Sequence, residues 1–309
     1  MTNFHKNDII MKRLREHYDE ACGLIPEDRI VGVFLQGSQN YGLDYEGSDV
    51  DSKCIVLPTL EDICFAKKPI STTHVRKNDE HIDLKDIRLM FQTFRKQNMN
   101  FVEILFTEYK IINPLYEDLW NELISQNELV GRYNPHRAVT TLKGIASEKF
   151  HALEHRYPSR VEVIDKFGGY DPKQLHHLLR IEDFLERYIN GETYAECLKP
   201  KNEMSMILKH IKQFGVKNLE EARQFAEESF DRISKMANEY RETHLDEGNP
   251  AVDELLDNVQ RKIMKKSILM ELAEDVYDEF FKTASKAVNF SLEELFKEHK
   301  IRKELAKHD

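Results

Sequence analysis

The stretch that decides the fold is residues 29–58, RIVGVFLQGSQNYGLDYEGSDVDSKCIVLP. It begins with a β-branched and aromatic run that ends at Gly37-Ser38, and it closes with a second run of the same kind. This pattern predicts a strand over 29–36, a turn-rich loop, and a second strand over 49–58. We therefore expect a β-sheet near the start of the chain, with polar groups gathered in the loop between these two strands.

The neighbouring segments continue this mixed pattern. We predict a helix over 8–22, a third strand over 81–84, and a helix over 85–97 in which apolar residues recur at helical spacing. The segment NFVEILFTEYKII, residues 100–112, fits either a strand or a helix, and both interpretations remain open. The first part of the chain thus combines strands with helices.

The rest of the chain carries signals of helices alone. Asn134 and Asp171 are capping residues that each precede a proline at the first helical position, and Gln174 completes a capping-box pattern with Asp171. A second capping-box pattern, SLEE at 291–294, predicts the start of a last amphipathic helix. This half of the chain is therefore expected to form a helical bundle.

These patterns define a fold class and a domain division. We predict an α+β (mixed α/β) protein with a small mixed-sheet domain over residues 1–125. A helical domain follows over residues 126–309, and its last ~40 residues form an extension.

Composition excludes several classes of protein. The 309 residues include 55 acidic and 45 basic side chains, for a formal charge of −10, which disfavours passive coating of nucleic acid or of an anionic membrane. No apolar run approaches the ~18 residues that span a bilayer, and the first residues lack the apolar core of a leader peptide. Four dispersed cysteines without a C-x-x-C pair indicate reduced core thiols. We expect a cytoplasmic protein with no membrane partner.

The first candidate site is a pair of carboxylates, Asp49 and Asp51. On a strand, residues two apart point to the same face, so these aspartates are expected to lie side by side while Val50 packs into the core. Adjacent carboxylates repel each other unless they share a cation, and hard oxygen ligands suit Mg²⁺ or Mn²⁺. Asp83, between Ile82 and Leu84, is our choice for a third ligand on a neighbouring strand.

The second candidate site is the turn at Gly37-Ser38. Glycine lets the backbone approach a ligand closely, and the amides of such a turn can bind an anion. Together with the carboxylates, the turn predicts a site for a nucleoside triphosphate, in which metal ions bridge the phosphates to Asp49 and Asp51.

The third candidate site is the segment YDPKQLHHLLR, residues 170–180. Lys173, either His176 or His177, and Arg180 recur three to four residues apart, so they share one face of a helix. We expect Lys173 and Arg180 to contact phosphate. His177 is the weaker choice, because two consecutive histidines are not expected to face the same way.

These motifs resemble the nucleotidyltransferase superfamily that includes DNA polymerase β. The signature of that superfamily is Gly-Ser, a spacer of about ten residues, Asp-x-Asp, and a later acidic residue between apolar ones. GSQNYGLDYEGSDVD, residues 37–51, is similar to the branch of RNA-repair-associated nucleotidyltransferases, with its Tyr-Gly pair and Ser-Asp-x-Asp. NFVEILF, GIASEKF and YDPKQLHHLLR are similar as well, and the resemblance covers roughly residues 30 to 265.

The resemblance implies an enzyme that moves a nucleoside monophosphate from a nucleoside triphosphate to an acceptor hydroxyl and releases pyrophosphate. It implies that residues 1–125 are the catalytic domain, that ATP is the default donor, and that the acceptor is RNA or protein. The implied catalytic and metal-binding residues are Asp49, Asp51 and Asp83. The implied nucleotide-binding residues are Gly37, Ser38, Ser48, Lys173, His177 and Arg180.

Several alternatives remain open. For the third acid, Asp83 fits best, and the other candidates are Asp79, Glu80, Asp86 and Glu103. For the function, the runner-up is a catalytically inactive nucleotide-binding regulatory module that acts through a protein partner. A metal-dependent nuclease is a third option, although a nuclease would not need the Gly-Ser turn.

Overall fold

The computed structural model describes the backbone of residues 3–45 and 47–305. It describes side chains over 6–45 and 47–280 and at residues 282 and 283. The fold is mixed: a five-stranded sheet in the first part of the chain and helices throughout. The predicted α+β class is confirmed.

The sheet has the strand order β3-β4-β2-β1-β5. β2 pairs with β4 in parallel, and the other neighbours are antiparallel. The strands are β1 (Ile30–Gln36), β2 (Asp51–Val56), β3 (Ser71–Val75), β4 (His81–Asp86) and β5 (Lys110–Ile112).

The described helices precede, connect and follow these strands. They are α1 (Asn3–Leu24), α2 (Leu60–Cys64), α3 (Ile87–Arg95), α4 (Met99–Val102), α5 (Glu117–Ile124), α6 (Asn127–Gly131), α7 (Pro135–Ala152), α8 (Val161–Lys166), α9 (Pro172–Ile189), α10 (Tyr194–Leu198), α11 (Asn202–Phe214), α12 (Leu219–Thr243) and α13 (Pro250–Leu305). No described helix combines the length and the apolar character needed to cross a membrane.

Alternation along the strands gives the sheet two apolar faces. One face packs against α1, where Leu14 and Tyr18 meet Val33. The other face carries Phe34 and joins the core of the helical region without interruption. Helices α7, α9 and α12 pack against one another, α11 packs on α9, and α13 returns to pack on α3 and α5. The division near residue 125 stays a prediction.

Most predicted strands are present, with shifted ends. β1 matches its prediction within a residue, but β2 begins at Asp51, so Asp49 lies in the loop before the strand. β3 was not predicted because it is an exposed edge strand without apolar alternation. The ambiguous segment 100–112 contains both structures, since helical turns through Leu105 precede β5.

Two capping boxes were predicted wrongly. Asp171 does cap α9, but its side chain accepts the N–H of Lys173, and no reciprocal bond from Gln174 is found. Asp171 also pairs with Arg160. The pattern at 291–294 does not begin a helix, because α13 runs through it. No Gly or Pro lies between residue 251 and that pattern, so nothing stops the helix there.

The cysteines were predicted only in part. All four are free thiols, and Cys54 and Cys197 are buried. Cys64 is exposed, however, so it is not a core residue.

Candidate active site

The turn after β1 follows the prediction that glycine is required there. Gly37 adopts φ +92°, a conformation that favours glycine, and a short 3-10 helix, Ser38–Tyr41, comes next. The amide of Asn40 bonds back to the Gly37 carbonyl, and the side chain of Asn40 bonds to Leu35. The loop is therefore fixed against the end of β1, with the hydroxyl of Ser38 at the edge of a cleft.

The two aspartates are held by the residue between them. Val50 is fully buried, and its N–H donates to Glu80 Oε1 at 2.8 Å. The Asp49 carboxylate makes no hydrogen bond or ion pair with any described residue. Asp51 Oδ1 accepts the backbone N–H of His81 at 3.0 Å and lies 3.1 Å from Nδ1 of the same residue, whereas Oδ2 has no partner among the described residues. Both aspartates thus keep oxygens available for a ligand.

Glu80 acts as the anchor of this segment. It is completely buried, and its carboxylate is shared among side chains from α1 and from the turn before β4. Those side chains are Arg13, His17, Arg76 and Asn78. These bonds outweigh the effect of burial and hold the pKa of Glu80 below its usual value. An ionised Glu80 is therefore a structural support for the Asp49–Asp51 segment.

Asp83 lies on β4, where strand register gives it a different neighbour from the one expected. In the parallel pair of β2 and β4, Lys53 is opposite Asp83. Asp51 lies two residues before Lys53 on β2, on the same face of the sheet. Asp83 accepts the Thr73 hydroxyl at 2.6 Å, and Lys53 Nζ lies 3.4 Å from its other oxygen. Burial raises the pKa of Asp83, but the bond from Thr73 and the charge of Lys53 reverse this and lower it.

The two-aspartate pair fits a divalent cation better than the predicted trio does. The Asp49 carboxylate and Oδ2 of Asp51 offer hard oxygens without a partner among the described residues, the donor type that Mg²⁺ prefers. Within the described ranges, no three His, Cys, Asp or Glu side chains are close enough together to share a metal ion. A metal-binding role for Asp83 stays a prediction.

The other candidates for the third acid lie in a turn, in a buried network, at a helix cap and in the wall of the cleft. Asp79 is exposed in a turn at φ +62°, and Glu80 belongs to the buried network. Asp86 caps α3 by accepting the N–H of Arg88. Glu103 is buried on the wall of the cleft and contacts Gly37.

Helix α9 brings its basic face to the opposite side of the cleft. Lys173, His177 and Arg180 all line it, as the helical spacing predicted. The expectation that only one histidine faces this way was wrong, because His176 lines the cleft too. His176 lies at the buried end, where its Nδ1–H donates to the carbonyl of Leu208. Burial lowers the pKa of both histidines, so both are neutral at pH 7.

The cleft is also lined by cationic side chains that the sequence did not predict. They are Lys53, Arg160 and Lys212. Arg160 pairs with Asp171, and Lys212 comes from α11, packed beside α9. Burial, together with the charge of Lys173, lowers the pKa of Lys212 to about 8. The amphipathic pattern of α11 gives the face of Lys212, but only tertiary packing brings it to Lys173.

The cleft has a volume of about 520 Å³. Acidic groups line it from the sheet and from the loop before β2, and basic groups line it from α9, from α11 and, at Lys53, from β2 itself. Every predicted site residue lines it: Gly37, Ser38, Ser48, Asp49, Asp51, Asp83, Lys173, His177 and Arg180. The structure thus gathers these residues into one place, and their individual roles stay predictions.

The lowered pKa of Lys212 predicts a cleft charge that changes with pH. Its lowered pKa means that the ammonium is charged below about pH 8 and neutral above it. We expect Lys212→Arg to bind ATP like the wild type at about pH 6.5 and about fivefold more tightly at about pH 9.5, because arginine keeps its charge. Titration calorimetry at both pH values measures this ratio. If the ratio of the wild-type Kd to the variant Kd were the same at both pH values, the charge of Lys212 would not contribute to binding.

Comparison with known proteins gives little further guidance. No model of a known protein family matches the chain, and no curated protein matches it. Among solved structures, the chain is similar to a nucleotidyltransferase-like protein from Exiguobacterium sibiricum 255-15, with 13% identity, coverage of 74% of each chain and a TM-score of 0.27. A likeness this distant carries no functional argument, so the proposal below depends on the residues of the cleft.

Proposed function

We propose that the protein is a metal-dependent nucleotidyltransferase. The observation that carries this proposal is the set of charges in one cleft, where the carboxylates of Asp49 and Asp51, the basic side chains of α9 and α11 and the Gly37-Ser38 turn line the same space. A nucleoside triphosphate bound with a divalent cation has the matching charges, because its phosphates suit the basic groups and its cation suits the acidic groups.

Each side of the cleft has its own part in the reaction. Lys173, Arg180 and Lys212 bind and orient the phosphates, and the Gly37-Ser38 turn offers backbone N–H groups to them. Asp49 and Asp51 hold the cation, which when bound neutralises phosphate charge and lowers the pKa of the acceptor hydroxyl.

In the reaction, the acceptor oxygen forms a bond to the α-phosphorus. The bond between the α-phosphorus and the oxygen that bridges the α- and β-phosphates breaks, and pyrophosphate leaves with the electron pair of that bond. The acceptor hydroxyl passes its proton to the carboxylate of Asp83, which we assign to the neighbourhood of that hydroxyl and which then returns the proton to solvent. The Asp83 carboxylate is ionised before this step because its pKa is lowered.

The donor and acceptor follow from the resemblance of the sequence motifs. We propose ATP as the donor and RNA or protein as the acceptor, with Mg²⁺ or Mn²⁺ as the cation and the cytoplasm as the location. The net charge of −10 favours a small RNA or a protein over long nucleic acid.

A direct experiment tests this function. The protein is incubated with each common nucleoside triphosphate labelled at the α-phosphate, with Mg²⁺ or Mn²⁺ and with total cellular RNA and protein. Label is expected to move into one of the two fractions, and the Asp49→Asn/Asp51→Asn variant is the control. Triphosphate binding without any transfer would contradict the proposal.

The second candidate is a catalytically inactive nucleotide-binding module that acts through a protein partner. The pairing of Asp83 with Lys53 favours it, because an ammonium group beside the third carboxylate competes with a metal ion there. Binding without transfer in the experiment above is the result that this candidate predicts. Degradation of RNA by the wild type would instead indicate a nuclease.

A further inference from the structure

Glu103 is a buried carboxyl group in the cleft that the proposed reaction does not use. It begins a 3-10 helix after α4, and only 3% of its surface is exposed. Its Oε1 accepts the N–H of Gly37 at 3.4 Å, whereas Oε2 has no partner among the described residues. Gly37 belongs to the turn assigned to the phosphates. Glu103 therefore occupies a backbone donor that a phosphate would use.

Within the part of the chain that the structure describes, Arg180 has buried N–H donors that lack acceptors, whereas Glu103 has a buried acceptor that lacks a donor. Arg180 is 5% exposed, and its Nε and Nη2 atoms have no partner among the described residues. Its Cζ lies 3.5 Å from the centre of the Tyr41 ring, at the end of the same turn. Two N–H groups on one edge of a guanidinium form a fork that binds both oxygens of a carboxylate. The free acceptor of Glu103 and the free donors of Arg180 thus match chemically and line one cleft.

The charge on Glu103 depends on what surrounds it. Burial raises its pKa to about 8, and the charge of Arg180 and the bond from Gly37 offset this only in part. The groups that act on it are Arg180 from α9, Tyr194 from α10 and the Gly37 amide after β1. Burial raises the pKa of Tyr194 as well, so that phenol is neutral. A carboxyl group with this pKa is mostly protonated near pH 7, and in this state Glu103 contacts Gly37.

We propose that Glu103 is a positioning residue that changes partners when a triphosphate binds. It releases the N–H of Gly37 to a phosphate oxygen, and its carboxylate pairs with Nε and Nη2 of Arg180. The carboxyl proton passes to solvent, and two charge-assisted hydrogen bonds form in its place. The pairing fixes the guanidinium of Arg180 beside the phosphates. This inference rests on the proposed function only in that it requires a triphosphate in the cleft; it does not require that transfer follows.

Titration calorimetry tests the exchange. ATP and inorganic tripolyphosphate, each with Mg²⁺, are titrated in two buffers of different ionisation enthalpy, which yields the Kd and the number of protons released. Glu103→Gln keeps the shape of the side chain but cannot become an anion. We expect it to bind both probes about tenfold more weakly and to release about one proton fewer than the wild type near pH 7.

Three controls separate the outcomes. Glu108→Gln, an exposed change in the same segment, is expected to match the wild type. Because Glu103 acts through Arg180, adding Glu103→Gln to Arg180→Met is expected to weaken binding no further. Thermal unfolding of each variant shows whether a loss reflects misfolding.

Wild-type affinity and wild-type proton release in Glu103→Gln would overturn the inference while leaving the proposed function intact. The expected losses in a protein without transfer activity would support the inference and contradict the proposed function. A wild type that binds neither probe contradicts both.

Discussion

Replacing Asp49 or Asp51 by asparagine is expected to lower the rate of nucleotide transfer by about a thousandfold. Asparagine keeps the size of the side chain but removes the negative charge that holds the cation. Fold effects should be small, because the Asp49 carboxylate has no bonding partner among the described residues and asparagine at 51 can still accept the N–H of His81. The measurement is the initial rate of label transfer, with urea unfolding to check stability.

The matched control is Asp79→Asn. Asp79 is an exposed acid in a turn of positive φ, where asparagine is well tolerated. This variant is expected to transfer label at the wild-type rate. If Asp49→Asn and Asp51→Asn kept full activity, the carboxylates would not be part of the reaction.

Replacing Trp120 by alanine is expected to reduce the free energy of unfolding by about 4 kcal/mol. The indole is fully buried, and its ring centre lies 5.1 Å from that of Phe34, 6.3 Å from Phe91 and 6.5 Å from Phe94. Its removal leaves a cavity among α5, α3 and β1. Because β1 leads directly into the Gly37 turn, we also expect weaker triphosphate binding in this variant. Urea unfolding monitored by circular dichroism measures the loss.

Phe65→Ala provides the comparison. Phe65 is 71% exposed, so its removal is expected to change the free energy of unfolding by no more than ~0.5 kcal/mol. Equal losses in the two variants would show that the cluster around Trp120 is not a tightly packed part of the core.

The sequence predicted which residues line the cleft, but not how the strands that carry some of them pair. The polar turn between two apolar runs gave the position of Gly37, and helical spacing placed Lys173 and Arg180 on one face. Strand register, in contrast, is set by pairing partners that local patterns do not reveal. For this reason Lys53, and not an aspartate, was found opposite Asp83.

The cleft cations that were missed have no local signal of function. Lys212, for example, lies on a helix far along the chain and reaches the cleft because α11 packs on α9. Glu103 was named only as an alternative for the third acid, and no local pattern predicts its contact with Gly37. Likewise, α13 continues past the pattern at 291–294, because capping residues indicate a helix start only where the chain is free to break.

The most direct measurement compares two positions of the label on ATP. The protein, Mg²⁺ and the accepting fraction are incubated with ATP that carries label at either the α- or the γ-phosphate. Nucleotidyl transfer predicts that α-label becomes covalently attached to the acceptor while γ-label is released as pyrophosphate. Attachment of the γ-label without the α-label, or no attachment of either, would contradict the proposed function.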